Sequence, residues 1–187
     1  MNPIEPVNAV QLGTLIKVVS AIHELPADRL PALKGRFRNF LKMGFPAVRS
    51  VGTGSRAEYW PAHVAQVLVA FELVAFRVPQ TAAAHCVSAF ATEVEAAFGA
   101  AARALAKPKP ADARTLLLVA SKGLLDDAKR PVHGDMSIIV AAGAEEATKQ
   151  ETVLAIDVRR LVERAARAAR ATDEPFTERF FMSLGRD

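Results

Sequence analysis

The segment KPKPAD at residues 107–112 divides the chain into two parts with different periodicities. Prolines alternate with lysines there, and such a composition favours extended backbone over helix. Before it, apolar residues recur mostly at helical spacing; after it they gather into short β-branched runs. RTLLLVA (114–120), MSIIVAA (136–142) and TVLAIDV (152–158) read as strands bounded by Gly, Asp or polar stretches. DVRRLVERAARAARA, from residue 157, reads as a terminal helix capped by Asp157, with Leu161, Val162, Ala165, Ala166 and Ala169 on its apolar side. In the tail, Phe176, Phe180, Phe181, Met182 and Leu184 are too apolar to stay in water, so it is expected to dock. The implied class is α+β, mainly α with small β content.

Upstream of the linker, Val7, Val10, Leu12, Leu15, Ile16, Val18, Val19 and Ile22 predict a first helix over about 7–23. Pro26 and Pro31 mark the turn that follows. Leu33, Phe37, Phe40 and Leu41 then give an amphipathic helix over 31–43 that Gly44 ends. AVRSV (47–51) and RAEYW (56–60) predict two strands of a hairpin around the GTGS turn at 52–55. Pro61 opens a strongly apolar helix to about 77, RVPQ breaks it, and 80–106 reads as one long alanine-rich helix. Helix, turn, basic helix, hairpin and two further helices is the order of a winged helix-turn-helix. The expected units are this DNA-binding domain over 1–78, a connecting or dimerisation helix over 79–106, the linker, and an αβ unit over 113–187 for dimerisation or partner binding.

Charge is distributed unevenly. Residues 1–78 hold nine Lys/Arg against five Asp/Glu, whereas 79–187 hold fifteen of each. Within 26–60 the count is seven basic residues against Asp28 and Glu58, an electrostatic footprint suited to a polyanion. At 51% apolar and 24% charged, the composition excludes wholesale disorder. No apolar stretch approaches the ~20 residues that span a bilayer, and no secretory leader is visible, so a cytoplasmic protein is expected. Cys86 is the single cysteine, which excludes an intramolecular disulfide. His23, His63, His85 and His133 lack metal-ligand spacing, and GTGS lacks the Lys-Ser/Thr ending of a phosphate loop. His85 and Cys86 are consecutive on a helix and diverge, so they make no catalytic pair. No enzymatic activity, metal or cofactor is expected.

The basic helix and hairpin supply the candidate contacts. Arg36 and Arg38 suit phosphates or the O6/N7 edge of guanine, and Asn39 suits adenine N6/N7. Lys34 and Lys42 suit phosphates, which give affinity and register. On the hairpin, Arg49, Ser55, Arg56 and Tyr59 are the candidates, with the glycines permitting close approach to a backbone or minor groove. Phe37 and Phe40 are expected in the core, and Trp60 as a core plug at the hairpin base.

Residues 29–87 resemble the DNA-binding half of MerR-type regulators, whose second helix carries a pattern like L-R-Y-Y-E-x-x-G-L. In FRNFLKMGF (37–45), Phe37, Arg38, Phe40, Gly44 and Phe45 fit that pattern, while Asn39 and Leu41 stand where the family prefers Tyr and Glu. Gly54, Arg56 and Tyr59 are similar to the family's wing, with Arg56 one residue further from Tyr59 than usual. The resemblance implies a transcription regulator, which many members perform by distorting DNA. The expectation is therefore a sequence-specific double-stranded DNA-binding protein, a homodimeric repressor. The alternatives are a protein-interaction adaptor with the winged helix as scaffold, and an architectural or recombination accessory DNA-binding protein.

Overall fold

The computed structural model describes residues 9–48, 57–107, 115–121, 136–141, 153–174 and 177–185. The protein is mainly helical, with two small antiparallel sheets.

Strand β1 (Val10–Gln11) runs directly into helix α1 (Leu12–Ile22). The helix begins later than the expected residue 7 because Val10 and Gln11 pair with Tyr59 and Glu58 of β2 (Glu58–Tyr59), which takes the backbone groups a helix would use. A 3-10 turn at Ala27–Arg29 leads to α2 (Leu30–Lys42), with Pro31 in the first turn, where a missing N–H costs nothing. Leu33, Phe37 and Phe40 are its buried residues, at helical spacing. Phe37 and Phe40 seat on Phe71 of α3 (Pro61–Ala75), with ring centroids 4.7 and 5.4 Å away.

The end of α2 is set locally. Gly44 adopts φ +72°, its N–H donates to the Leu41 carbonyl, and the Phe45 N–H reaches back to the Phe40 carbonyl at 2.9 Å. This is a Schellman closure, and its customary apolar contact is present between Phe45 and Phe40, 5.1 Å apart. A side chain at position 44 would be strained by that φ.

Helix α3 is buried almost all round and forms the centre of the core. Its half-way polar residue, Gln66, is satisfied by Glu95 at 3.1 Å. The long helix expected over 80–106 is two helices, α4 (Gln80–Ala89) and α5 (Ala91–Leu105), broken at Phe90. Both pack on α3, but α4 also meets α2 while α5 meets the terminal helix, α6 (Val158–Ala171). One straight helix cannot follow both partners.

Beyond the linker, β3 (Leu116–Ser121) is the central strand between β4 (Met136–Ala141) and β5 (Val153–Asp157), antiparallel to both. Leu118 lies opposite Ile139 on one side and Ala155 on the other. Leu117, Val119, Ile138 and Ile156 bring the sheet into the same hydrophobic cluster as the helices. Asp157 caps α6 as expected, its side chain accepting from the Arg160 N–H at 3.1 Å.

The described core does not divide at the expected unit boundaries. Helix α6 packs on α1 as well as α5, its alanines allowing close approach, and one apolar cluster runs from Val10 to Leu184. Polar ties reinforce the closure of the chain on itself. Glu174, just after α6, accepts from Lys17 Nζ at 2.7 Å and from Thr14 Oγ1, both on α1. Burial pushes the Glu174 carboxyl up, but the hydrogen bonds from Lys17 and Thr14 and the lysine charge outweigh it and hold it below its ordinary value. Glu174 therefore stabilises the fold above its unfolded-state pKa, and that contribution is lost as pH falls through the lower folded value. Glu174→Gln is expected to cost about 1 kcal/mol at pH 7 in urea denaturation. The difference from wild type should shrink as pH falls below the ordinary carboxylate range; a gap that persists undiminished in acid would contradict the assignment.

The tail docks. Phe180, Phe181 and Leu184 are buried, and Arg103 on α5 donates to the carbonyls of Leu184 at 2.6 Å and Met182 at 3.2 Å. The tail crosses α5 at Gly99, where a Cβ would stand 2.0 Å from the Leu184 carbonyl oxygen. Gly99→Ala should push the tail off the helix at a cost of about 1–3 kcal/mol. In a protein of this size that is a midpoint fall of roughly 2–4 °C per kcal/mol, measurable by thermal denaturation; an unchanged midpoint would show that the crossing is looser than this.

Candidate nucleic-acid interface

The same spacing that buries one side of α2 decides what the other side presents. With Leu33, Phe37 and Phe40 turned inward, Arg38 and Lys42 stand one turn apart on the opposite face, with Asn39 beside them. Lys34 and Arg36 flank that face. All five side chains are exposed. The helix contains no Asp or Glu, and among the described residues none of its four cations enters an ion pair. Their field is thus offset by no carboxylate on their own helix.

Helix α4 starts against this face. The Gln80 side chain donates to the Arg36 carbonyl, and Gln80 and Thr81 line a shallow depression of about 420 Å³ with Asn39, Lys42 and Met43. Lys34, Arg38 and Lys42 follow at i, i+4 and i+8 on the outward side with Asn39 beside them, an arrangement that suits phosphate and base-edge contacts in a major groove.

Of the hairpin expected over 47–60, Ala47 and Val48 are described and are not in a strand, and Glu58–Tyr59 forms β2. Arg49, Ser55 and Arg56 lie outside the described residues, as does the linker from 108 to 112. Strand β2 pairs with β1 and is thereby tied to the start of α1.

Two expectations at that base are corrected. Tyr59 was expected to offer its hydroxyl to a phosphate, but it is 1% exposed, and among the described residues its hydroxyl has no partner. Burial raises the phenol pKa, so it stays protonated. Trp60, expected as a core plug, is instead 48% exposed. Strand alternation explains both: Tyr59 takes the inward position, and its neighbours Glu58 and Trp60 point out. Tyr59 is the plug. The backbone N–H of Trp60 donates to His63 Nδ1 at 3.2 Å, and burial, opposed by Glu95, lowers the pKa of that imidazole.

Elsewhere, titratable groups serve packing. Cys86 is buried, and burial pushes its thiol up to about 11, away from nucleophilic character at neutral pH. Glu72 on α3 faces Arg164 Nη1 at 3.2 Å and His23 Nε2 at 3.8 Å, while Arg164 Nη2 donates to the Ile22 carbonyl at the end of α1, 2.8 Å away. That cluster joins α1, α3 and α6. Among the described residues no group of three or more His, Cys, Asp or Glu is placed to hold a metal ion, and no helix is long and apolar enough to cross a membrane.

A second cationic helix escapes the charge count made by segment. Helix α6 carries five arginines against one glutamate, yet it lies within residues 79–187, which sum to zero. Three of the five arginines are paired, Arg159 with Glu163, Arg160 with Asp157 and Arg164 with Glu72. Compared with known proteins, the chain matches no family model, no curated protein and no solved structure.

Proposed function

We propose that the protein is a sequence-specific double-stranded DNA-binding transcription regulator that reads the major groove with α2. The observation that carries this reading is the outward face of α2: Lys34, Arg36, Arg38, Asn39 and Lys42 exposed together, on a helix without a carboxylate, with no ion pair among the described residues. Strand β2, the proposed return strand of a wing over residues 47–60, is anchored on β1 at the start of α1. Arg38 and Asn39 take the base edges, and Lys34 and Lys42 the phosphates. A homodimer is the proposed form, because one small module supplies limited contact area and paired half-sites double it. Repression follows by occlusion of a promoter.

Mapping of bound genomic sites tests the reading. A shared short motif should emerge, and Arg38→Ala or Asn39→Ala should relax it at particular base pairs while leaving the others. Recovery of protein partners with no enriched DNA motif would support the adaptor alternative instead.

A further inference from the structure

The turn from α1 into α2 builds a cleft. The Glu24 N–H donates to the Ala21 carbonyl at 3.3 Å, and the Leu25 N–H reaches back to the Ser20 carbonyl at 3.0 Å, with Glu24 at φ +48°. This left-handed closure ends α1 and folds Leu25 back towards it. Ile16, Ala21, Leu25 and Leu30 line the resulting cavity of about 510 Å³, together with Thr172 just beyond α6. The four apolar residues are only half-buried: they rest on the core and also face the cleft. A cleft of that size, with apolar walls and a few charged groups, suits a small organic molecule.

Charge selects the class of molecule. The charged lining residues are Lys17, Glu24 and Lys34. Lys17 is already committed to Glu174 at 2.7 Å. Lys34 is exposed and, among the described residues, enters no ion pair. It belongs to α2, whose four cations share their helix with no acid, so the potential along this wall favours an anion. Glu24 is the one opposing carboxylate. An apolar molecule ending in a carboxylate matches this arrangement: its body covers the half-buried walls, and its carboxylate accepts from the Lys34 ammonium. In the DNA-binding reading of α2 the same ammonium contacts a phosphate. Closed onto a carboxylate in the cleft, it is withdrawn from the duplex.

We propose that this cleft is an effector site for a small apolar carboxylate held through Lys34, and that its occupancy weakens DNA binding by α2. The binding half stands on the cleft alone. The regulatory half rests on the DNA-binding reading of α2.

The test titrates 2-naphthoate, and its uncharged analogue 2-naphthalenemethanol, into the full chain by calorimetry without DNA. Lys34→Ala should weaken the acid roughly 3–5-fold and leave the alcohol unchanged. Glu24→Gln should tighten the acid. Gly13 lines the cleft, and nothing stands within 4 Å of where its Cβ would be, so Gly13→Leu enters open space and should weaken both probes together. An unchanged circular dichroism spectrum and melting midpoint exclude unfolding as the cause of a loss. No binding of either probe at millimolar concentration, or an equal response of acid and alcohol to Lys34→Ala, would overturn the site.

At matched ionic strength, saturating 2-naphthoate should lower affinity for a random-sequence duplex several-fold and flatten the slope of log affinity against log salt by about 1, the mark of one lost phosphate contact. Duplex should weaken 2-naphthoate binding by the same factor, since coupling is reciprocal. Binding of the acid with no change in duplex affinity would overturn the regulatory half. Failure of wild type to bind any duplex would overturn the DNA-binding reading and the coupling with it, and leave the site standing.

Discussion

Phe40→Ala is expected to cost about 3–5 kcal/mol, a large share of the ~5–15 kcal/mol that holds an ordinary domain together. Phe40 is 1% exposed and packs edge-on against Phe71, 5.4 Å between centroids, while Phe45 closes over it at 5.1 Å. Truncation leaves a cavity under α2 and removes the apolar contact of its Schellman closure together. The loss should appear as a lower urea midpoint with an unchanged m-value. Leu41 gives the comparison within the same helix: it is 40% exposed, so Leu41→Ala should change stability by no more than about 0.5 kcal/mol. Equal costs at 40 and 41 would mean that α2 is rotated from the orientation that presents Arg38 and Lys42.

Arg38→Ala/Lys42→Ala should do the reverse, leaving stability within about 0.5 kcal/mol of wild type and lowering duplex affinity roughly 100-fold. Both side chains are exposed, and neither is in an ion pair among the described residues, so their removal should leave the described core intact. Each removes a charge from the centre of the outward face. The effect should be greatest at low salt, where released counterions contribute most, and the salt slope should fall by about 2. Phe40→Ala and this pair thus separate the seat of the helix from its working surface. A double variant that binds duplex like wild type would remove α2 from the interface.

What could be read from the sequence alone was local. The apolar spacing of Leu33, Phe37 and Phe40 with Gly44 after them put α2 at 31–43, against Leu30–Lys42 in the structure. The three β-branched runs and the Asp157 cap were likewise legible, because each signal lies within a few residues of the element it sets. What escaped depends on distant partners. The start of α1 is decided by Tyr59 and Glu58, nearly fifty residues later in the chain. The break at Phe90 carries no Gly or Pro and arises from the divergent partners of α4 and α5. Docking of α6 on α1 joins the two ends of the chain, which no window of sequence contains. Of the candidate site, the α2 residues are all exposed, Tyr59 is withdrawn into the core, and Arg49, Ser55 and Arg56 lie outside the described residues.

The proposed role of α2 is recognition of sequence in duplex DNA. Its most direct test is competition at physiological salt between the duplex most enriched in genomic mapping and random duplex of equal length. The expected result is a preference of about 10³-fold or more for the selected duplex, largely lost in Arg38→Ala and Asn39→Ala. Equal affinity of wild type for the two duplexes would contradict it.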